Sequence, residues 1–121
     1  MILKDNMVSL QGVNGLIEIK RNEHGIPEII ASSYRDASFA LGWVHANDRQ
    51  LQMTITKIIL QGRSSCKIAA SKELIATDKY IKSLNLYPDI AEQKKFLDRD
   101  VRESAEYYSA GVNSYLEEAG A

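Results

Sequence analysis

A helical repeat running from Tyr34 to Gln61 dominates this sequence. Apolar residues recur there at alternating spacings of four and three, which aligns them along one side of an α-helix. Phe39 and Trp43 lie on a different side, so we expect this helix to be central and substantially buried. Gly42 costs about 1 kcal/mol relative to alanine in a helix interior; a close neighbour or a helix break near Ala46–Asn47 would explain it. The repeated positions are Ala37, Leu41, Val44, Asp48, Leu51, Ile55 and Ile58.

Short apolar runs ahead of this helix have the pattern of β-strands. Leu16–Arg21 alternates apolar with charged residues, Ile26–Ala31 is a second apolar run, and turn-forming residues separate the two. Pro27 has no backbone N–H, so we expect the second strand to begin there or to lie at a sheet edge. Val8–Leu10 is a candidate third strand. A β-hairpin therefore precedes the helical part of the chain.

The residues after the long helix also favour helices. Gly62 stands where a left-handed terminal residue is preferred, and a polar connection leads from it to Lys72. Apolar residues from Leu74 to Leu84 repeat with helical spacing, and Pro88 is expected to stop that helix. Residues 89–95 favour another turn or two of helix.

The last predicted helix separates its apolar and polar faces most clearly. Arg99 and Glu103 lie opposite an apolar stripe, and because no strand or cap follows, we expect the sequence to be part of a longer polypeptide. The whole pattern predicts a mainly α-helical α+β fold, a single unit over residues 1–121 with short strands within 1–31 and helices within 32–121. The stripe consists of Leu97, Val101, Ala105, Tyr108, Val112 and Tyr115 or Leu116.

Composition restricts the class of function. A chain of 121 residues can form one compact domain, and its hydrophobic fraction of 45% is that of a folded globular protein. A formal net charge of −1 provides no broad basic field, so nucleic acid is not an expected partner. No apolar run reaches the roughly 18 residues of a membrane span, so we expect no membrane contact. The start lacks the pattern of a signal peptide, which predicts a cytoplasmic protein or a leader absent from this sequence.

Asp48 is the charged member of the helical repeat, so we expect its carboxylate to face the interior and to need a partner. Arg35, Arg63 and backbone amides are candidates. His45 lies one turn earlier and can share a face with Asp48. A histidine oriented by a carboxylate is half of a nucleophile-activating arrangement. We favour the alternative that such a pair is an architectural hydrogen-bond node.

Other candidate sites have weaker signals. His24 and Glu28 are distant further ligands if His45 and Asp48 bind a metal, but no HExxH or EF-hand spacing is present. The single cysteine, Cys66, excludes an internal disulfide and is a nucleophile only if a base stands beside it; we favour a structural residue. Five tyrosines form either an aromatic pocket or core: Tyr80, Tyr87, Tyr107, Tyr108 and Tyr115.

Taken in order, these segments resemble the amino-terminal part of the penicillin acylase family of N-terminal-nucleophile hydrolases. The family pattern is roughly R-D-x-x-G-[VI]-P-H-I, then G-[YW]-x-x-A-x-D-R-x-x-Q-M, then G-R, and later Y-x-x-G-[VM]-N-x-[YW]. The segment His24 to Pro27 otherwise has the composition of a tight turn. Glu28 replaces the family's histidine and Asn22 its acidic residue. The matching segments here are Arg21–Ile29, Gly42–Met53, Gly62–Arg63 and Tyr108–Tyr115.

The resemblance implies that this chain is a scaffolding part of an alpha chain and a fragment of an αββα architecture. In such enzymes a precursor cuts itself, and the new amino-terminal serine of the beta chain attacks an amide of an acylated small molecule. The family positions of that serine and of most calcium ligands fall later, so no catalytic, cofactor-binding or metal-binding residue is assigned here. The expected partner is the beta chain of the same precursor. Calcium is expected, if at all, in the full-length parent, whose location is slightly more often extracytoplasmic than cytoplasmic.

A hypothesis from a different class is a stand-alone helical protein-binding module. In that case the tyrosines and the long final helix would form a docking surface for a partner. The two hypotheses differ in whether the coding sequence continues into a long second region with an internal serine. A third hypothesis, the catalytic pair of His45 and Asp48, requires that the two side chains contact each other.

Overall fold

The computed structural model describes residues 2–4, 7–86 and 90–120. The chain divides into two compact units, one formed by the described residues within Met1–Asp48 and Leu97–Ala121 and the other by those within Arg49–Phe96. The single folding unit expected from the sequence stays a prediction. Tyr87, Pro88 and Asp89, on which part of the helix-stop prediction rested, lie outside the described residues.

The first unit contains a four-stranded antiparallel sheet in the order β1–β2–β3–β4. The strands are β1 (Ile2–Lys4), β2 (Met7–Gln11), β3 (Leu16–Arg21) and β4 (Pro27–Ile30). The predicted hairpin and the candidate third strand are confirmed, and β4 begins at proline at the edge of the sheet, as its missing N–H requires. β1 was not predicted.

The hydrophobic core of the first unit lies between this sheet and the first half of the long helix, α1 (Tyr34–Leu60). Ile17 and Ile19 are 0% and 1% exposed, and Val44 is 1% exposed. Complete burial of such a side chain contributes about 2 kcal/mol. Because Ile17 and Ile19 are two positions apart on β3, both point to the face of the sheet that α1 covers.

Helix α1 begins and ends as the sequence predicts. The hydroxyl of Ser33 accepts a hydrogen bond of 3.1 Å from the Asp36 backbone N–H at the N-terminus. At the C-terminus Gly62 has φ +61°, and its N–H and that of Arg63 donate to the carbonyls of Ile59 and Ile58 at 2.8 and 3.0 Å, which is the Schellman arrangement.

The interior of α1 differs from the prediction in two respects. Its break is at Arg49, whose φ and ψ are −136° and 24°, rather than near Ala46–Asn47. Burial is confined to the first half, within Asp36–Ala46, so the prediction of a substantially buried helix holds for that half alone. The four-three repeat continues past the break, but Leu51, at 73% exposed, shows that the repeat alone does not determine what is covered.

The second unit continues from Arg49 through three helices after α1, namely α2 (Ser64–Lys67), α3 (Lys72–Ser83) and α4 (Ile90–Gln93), and a short 3-10 turn. The predicted helices in Leu74–Leu84 and in 89–95 are confirmed in α3 and α4, whereas α2 lies in the segment predicted as a polar connection. Asp78 of α3 holds α2 by accepting hydrogen bonds from the Ser64 and Ser65 N–H groups at 2.8 and 2.7 Å.

The last helix, α5 (Arg99–Glu118), belongs to the first unit. Its predicted extent is confirmed, but the face that packs on α1 is rotated from the predicted apolar stripe. Gly111 is the buried residue of α5, whereas Val101 of the stripe is 53% exposed. Glu103, predicted on the solvent side, pairs with Arg35 of α1 at 3.0 Å. The α+β fold class is confirmed.

Candidate functional site

Arg21, the last residue of β3, clamps the hairpin to α1. Its Nη2 lies 2.7 Å from Asp48 Oδ1 and its Nη1 3.1 Å from Asp48 Oδ2, which makes a two-pronged ion pair. The same Nη1 donates to the Gly25 carbonyl at 2.9 Å, and Nη2 reaches Asn47 Oδ1 at 3.4 Å. The guanidinium therefore joins a strand end, a turn and the end of the first half of α1.

The turn beside this clamp is organised by Asn22 rather than by His24. Asn22 Oδ1 accepts hydrogen bonds from the N–H groups of His24 and Ile26 at 3.0 and 2.9 Å, and Gly25 takes φ +75°, a conformation that glycine adopts without strain. The side chain of His24 is 73% exposed. Asn22 stands where the resembled family has an acidic residue, and its side-chain oxygen serves as the acceptor here.

Two glycines bring α1 and α5 together at their crossing. A Cβ built on Gly42 would overlap the backbone carbonyl of Tyr108, and a Cβ built on Gly111 would overlap that of Phe39. The contact is reciprocal, so each helix needs its glycine for the other's backbone to approach. The prediction that a close neighbour explains Gly42 is confirmed, and that neighbour is the segment that carries the Y-x-x-G pattern.

Aromatic pairs lie on either side of this crossing. The rings of Trp43 and Tyr115 meet edge to face with centroids 5.4 Å apart, and the His45 Nδ1 forms a hydrogen bond of 3.0 Å with the Tyr108 hydroxyl. Such edge-to-face pairs add about 1 kcal/mol beyond the area they bury. The Trp43 indole N–H is buried without an acceptor among the described residues. Tyr108 and Tyr115 are thus interface residues, while Tyr80 is 63% exposed.

The structure does not bring the proposed catalytic pair together. The Asp48 carboxylate binds Arg21 and its side chain is 35% exposed, so the prediction of a buried carboxylate is wrong, as are the predicted partners Arg35 and Arg63. His45 binds Tyr108 instead. The physical reason is position along the helix: Asp48 lies one turn after Val44 on the same side of α1, but the buried part of the helix ends at Ala46.

Among the described residues of this unit the buried carboxylate is that of Asp36, which is 0% exposed. It accepts hydrogen bonds from the Val13 N–H at 2.6 Å, the Asn14 N–H at 3.0 Å and the Ser33 hydroxyl at 2.9 Å. Burial alone would raise the pKa of Asp36, but these hydrogen bonds together outweigh it and lower the pKa. The S-x-x-D spacing at the helix start was the available signal, and it marked a cap whose acid also anchors the loop between β2 and β3.

A cleft beside the start of α5 contains the other charged cluster of the first unit. The Glu103 carboxylate accepts from Arg99 Nε at 2.8 Å and from Arg35 Nη2 at 3.0 Å. These hydrogen bonds, that from Arg99 first, lower the pKa of Glu103. Because one carboxylate occupies both guanidinium groups, the cluster is an ion-pair network between α1 and α5 rather than a concentration of one charge.

Neither nucleophilic catalysis nor metal binding is supported within the described part of the chain. Its serine and cysteine side chains have no histidine partner: Ser33 binds Asp36, Ser65 binds Asp78, and the exposed Cys66 donates weakly to the Arg63 carbonyl at 3.2 Å. No group of three or more His, Cys, Asp or Glu residues that could hold a metal ion occurs there. Among the described helices, none is long and apolar enough to cross a membrane.

Comparison with known proteins gives these motif positions a context. The sequence profile of the family described as Penicillin amidase matches residues 16–121. The acyl-homoserine lactone acylase QuiP of Pseudomonas fluorescens strain Pf0-1 is 36% identical over 107 residues, which are 88% of this chain and 13% of that protein. The penicillin acylase 2 proenzyme of Pseudomonas sp. strain SE83 is 32% identical over 109 residues, 90% of this chain and 14% of that protein.

The fold also matches a solved structure, that of the thermostable penicillin G acylase from Alcaligenes faecalis. The TM-score is 0.76 at 23% sequence identity, and the match covers 93% of this chain and 55% of the other. This likeness confirms the predicted fold. The chain spans only about 13% of the length of the curated relatives.

Proposed function

Because this chain belongs to the penicillin amidase family, we propose that it is a scaffolding part of the alpha chain of an enzyme that hydrolyses an amide bond of an acylated small molecule. The observation that carries the proposal is the family match over residues 16–121, together with 36% identity to an acyl-homoserine lactone acylase. The reaction itself is assigned to the whole protein, because this chain spans about 13% of that relative.

The proposed nucleophile is the amino-terminal serine of a second chain, released when a precursor cuts itself and activated by its own α-amino group. A relative named as a proenzyme supports processing of this kind. The described residues support it indirectly, because their serine and cysteine side chains have no histidine partner. We therefore propose that this chain alone has no hydrolytic activity and that any calcium in the enzyme is bound by the rest of the protein.

The role of this chain's own residues is to fix the positions of its elements. Arg21 joins the hairpin to Asp48 of α1, and Gly42 and Gly111 let α1 and α5 approach closely. These contacts occupy the positions at which the sequence resembles the family most closely. In this proposal they hold a rigid support against which the beta chain, the proposed partner of the same precursor, positions its serine. For the parent we propose an extracytoplasmic location.

N-acyl-homoserine lactones are the first substrate class to test, since relatives that are 33 to 36% identical carry that name. Penicillins are the second, because a relative that is 32% identical is named for them. Both contain an acyl group joined through an amide to a compact amine. A phenylacetyl amide with a chromogenic amine tests the same bond without commitment to either.

The test is to produce this chain together with the polypeptide encoded downstream of residue 121 in the same gene. We expect amide hydrolysis from the pair, none above buffer from this chain alone, and loss of activity when the serine that begins the second chain is replaced by alanine. Turnover by this chain alone would overturn the proposal, as would an inactive but folded pair. A gene that encodes no such second region would favour the stand-alone binding module.

A further inference from the structure

The loop between β2 and β3 contains the dipeptide Asn14–Gly15, which the proposed function does not use. Asn-Gly is a strong turn signal in a β-hairpin, and forming the turn is the structural role of these two residues. The pair also has a chemical property, because glycine has no Cβ to hinder the approach of its backbone nitrogen to the preceding side chain. Every other asparagine of the sequence precedes a larger residue.

Both groups that this chemistry requires are accessible. The side chain of Asn14 is exposed, and it lines the cleft beside the start of α5, so water and hydroxide can reach it. The backbone N–H of Gly15 has no hydrogen-bond acceptor among the described residues. No hydrogen bond therefore has to break before the Gly15 nitrogen can act as a nucleophile, in contrast to the N–H groups in the interior of a helix.

We propose that Asn14 is a site of spontaneous deamidation, with water as the second reactant. Hydroxide removes the N–H proton of Gly15, and the nitrogen attacks the Cγ of Asn14. The N–Cγ bond forms and the Cγ–Nδ2 bond breaks, so that ammonia leaves with a proton from water and a succinimide ring remains. Water then breaks one of the two imide C–N bonds and gives aspartate or isoaspartate. The net reaction converts an amide and a water molecule into a carboxylate and an ammonium ion.

The new carboxylate would stand beside the buried Asp36. Asn14 Nδ2 donates to Ser33 Oγ at 3.0 Å, and the Ser33 hydroxyl donates to Asp36 Oδ2 at 2.9 Å. A carboxylate at position 14 has no hydrogen to donate, so it competes with Asp36 for the proton of Ser33. Repulsion between the two negative charges adds to this loss. Deamidation therefore weakens the contacts that hold the β2–β3 loop to the start of α1.

Isoaspartate also changes the backbone of this loop. The chain then runs through the Cβ of residue 14, which inserts one additional carbon between Asn14 and Gly15. Across this turn the Gly12 N–H donates to the Gly15 carbonyl at 2.8 Å, and the Val13 and Asn14 N–H groups donate to Asp36 Oδ1 at 2.6 and 3.0 Å. Because the additional carbon lies inside the Gly12–Gly15 turn, these hydrogen bonds cannot all keep their geometry.

The first experiment incubates the complete gene product in its folded state at mildly alkaline pH and maps its peptides by mass spectrometry. We expect the peptide that contains Asn14 to gain about 1 Da, with release of ammonia. Gly15→Ala is the matched control, because the new Cβ meets only the Ser32 hydroxyl, at 3.2 Å. We expect this methyl group to slow the attack at least about tenfold.

Asn113 is the internal control in the same samples. Its side chain is exposed and a small residue, Ser114, follows it, but the Ser114 N–H lies in the interior of α5 and donates within the helix. We expect Asn113 to stay unmodified while Asn14 reacts. An Asn14 that stays unmodified would overturn the proposed site. So would equal rates at Asn14 and Asn113, or equal rates at Asn14 in the wild type and in Gly15→Ala.

The second experiment measures the effect of the new charge by hydrogen exchange. Asn14→Asp reproduces the aspartate product, and we expect the amides of Val13 and of position 14 to exchange about tenfold faster than in the wild type. Asn22→Asp is the matched control, because Asn22 Oδ1 accepts from the N–H groups of His24 and Ile26 and a carboxylate oxygen accepts them equally well. We expect exchange at those two amides to stay unchanged.

The two experiments test separate parts of the proposal. Equal exchange rates in Asn14→Asp and the wild type would overturn the effect on the contacts of Asp36, even if the first experiment confirms deamidation at Asn14. Faster exchange in Asn14→Asp supports that effect. Neither measurement depends on amide hydrolysis by the protein, so the proposed function and this inference can fail independently.

Discussion

Of the two aspartates in the first half of α1, Asp36 rather than Asp48 has the buried carboxylate. Asp36 is fully buried and is held by hydrogen bonds from two backbone N–H groups and a hydroxyl, whereas Asp48 is 35% exposed and paired with Arg21. A buried anion satisfied by several donors is costly to disturb, because each donor it leaves behind remains desolvated. An exposed ion pair contributes less, since water and salt screen it.

Asp36→Asn is therefore expected to lower the free energy of unfolding by about 2 to 3 kcal/mol at pH 7, because the amide turns two N–H hydrogens toward existing donors. Urea unfolding followed by the fluorescence of Trp43, the single tryptophan, measures this. The folded-state pKa of Asp36 is below its ordinary value of 3.8. The contribution of the carboxylate is thus present above that value and lost as the pH falls through the lowered pKa. The difference in the free energy of unfolding between the wild type and Asp36→Asn should therefore narrow as the pH falls through this range.

Asp48→Asn is the matched control for this prediction. We expect it to cost about 1 kcal/mol or less, since the amide oxygen still accepts from Arg21 and the pair is partly exposed. Raising the salt concentration should reduce the effect of Asp48→Asn and leave that of Asp36→Asn nearly unchanged. A larger loss from Asp48→Asn than from Asp36→Asn would show that the clamp, rather than the buried acid, anchors the first unit.

At the scale of elements, the crossing of α1 and α5 depends on backbone contact. Gly42→Ala and Gly111→Ala each place a methyl group onto a carbonyl of the facing helix. We expect each change to destabilise the first unit by about 3 kcal/mol, although alanine is favoured over glycine in a helix by about 1 kcal/mol. The measurement is again the urea midpoint followed by Trp43 fluorescence.

Gly15→Ala adds the same methyl group where the nearest side-chain atom is the hydroxyl of Ser32, at 3.2 Å from the new Cβ. Because Ser32 is exposed and its hydroxyl can rotate, the expected change is below about 1 kcal/mol. If Gly42→Ala were as mild as Gly15→Ala, α1 and α5 would have to move apart at little cost. The close crossing would then not be needed for stability.

The sequence predicted the bounds of these elements better than it predicted which of their side chains are buried. Strand alternation and the glycine at position 62 depend on local chemistry, and the bounds of β3 and the end of α1 followed from them. Burial of Asp48 was predicted wrongly because the four-three repeat shows which side of a helix a residue occupies, not how far along the helix that side is covered, and the buried residues of α1 end at Ala46. The packed face of α5 was also misplaced, because a glycine that meets a backbone leaves no apolar signal in the pattern.

At the scale of the whole molecule, the two units are stabilised by different means. The first has a core in which Ile17, Ile19, Trp43 and Val44 are at most 3% exposed. The second is held by polar contacts, of which the hydrogen bonds to Asp78 are the clearest. Hydrogen bonds from Ser65 and Ser64 outweigh the effect of burial and lower the pKa of Asp78 to about 2. When the unit unfolds, hydrogen bonds to water replace these protein–protein hydrogen bonds, so the latter give less net stability than the burial of apolar side chains.

Hydrogen exchange of this chain alone should therefore resolve two stabilities. We expect the amides of β3 and of the first half of α1 to exchange at the slowest rates, and those of α3 about a hundredfold faster. The described residues of the second unit include no fully buried hydrophobic side chain, so opening this unit exposes little additional apolar surface. Protection of α3 equal to that of β3 in the isolated chain would mean that polar contacts suffice to stabilise the second unit. Its exposed apolar groups would then need no covering partner for stability.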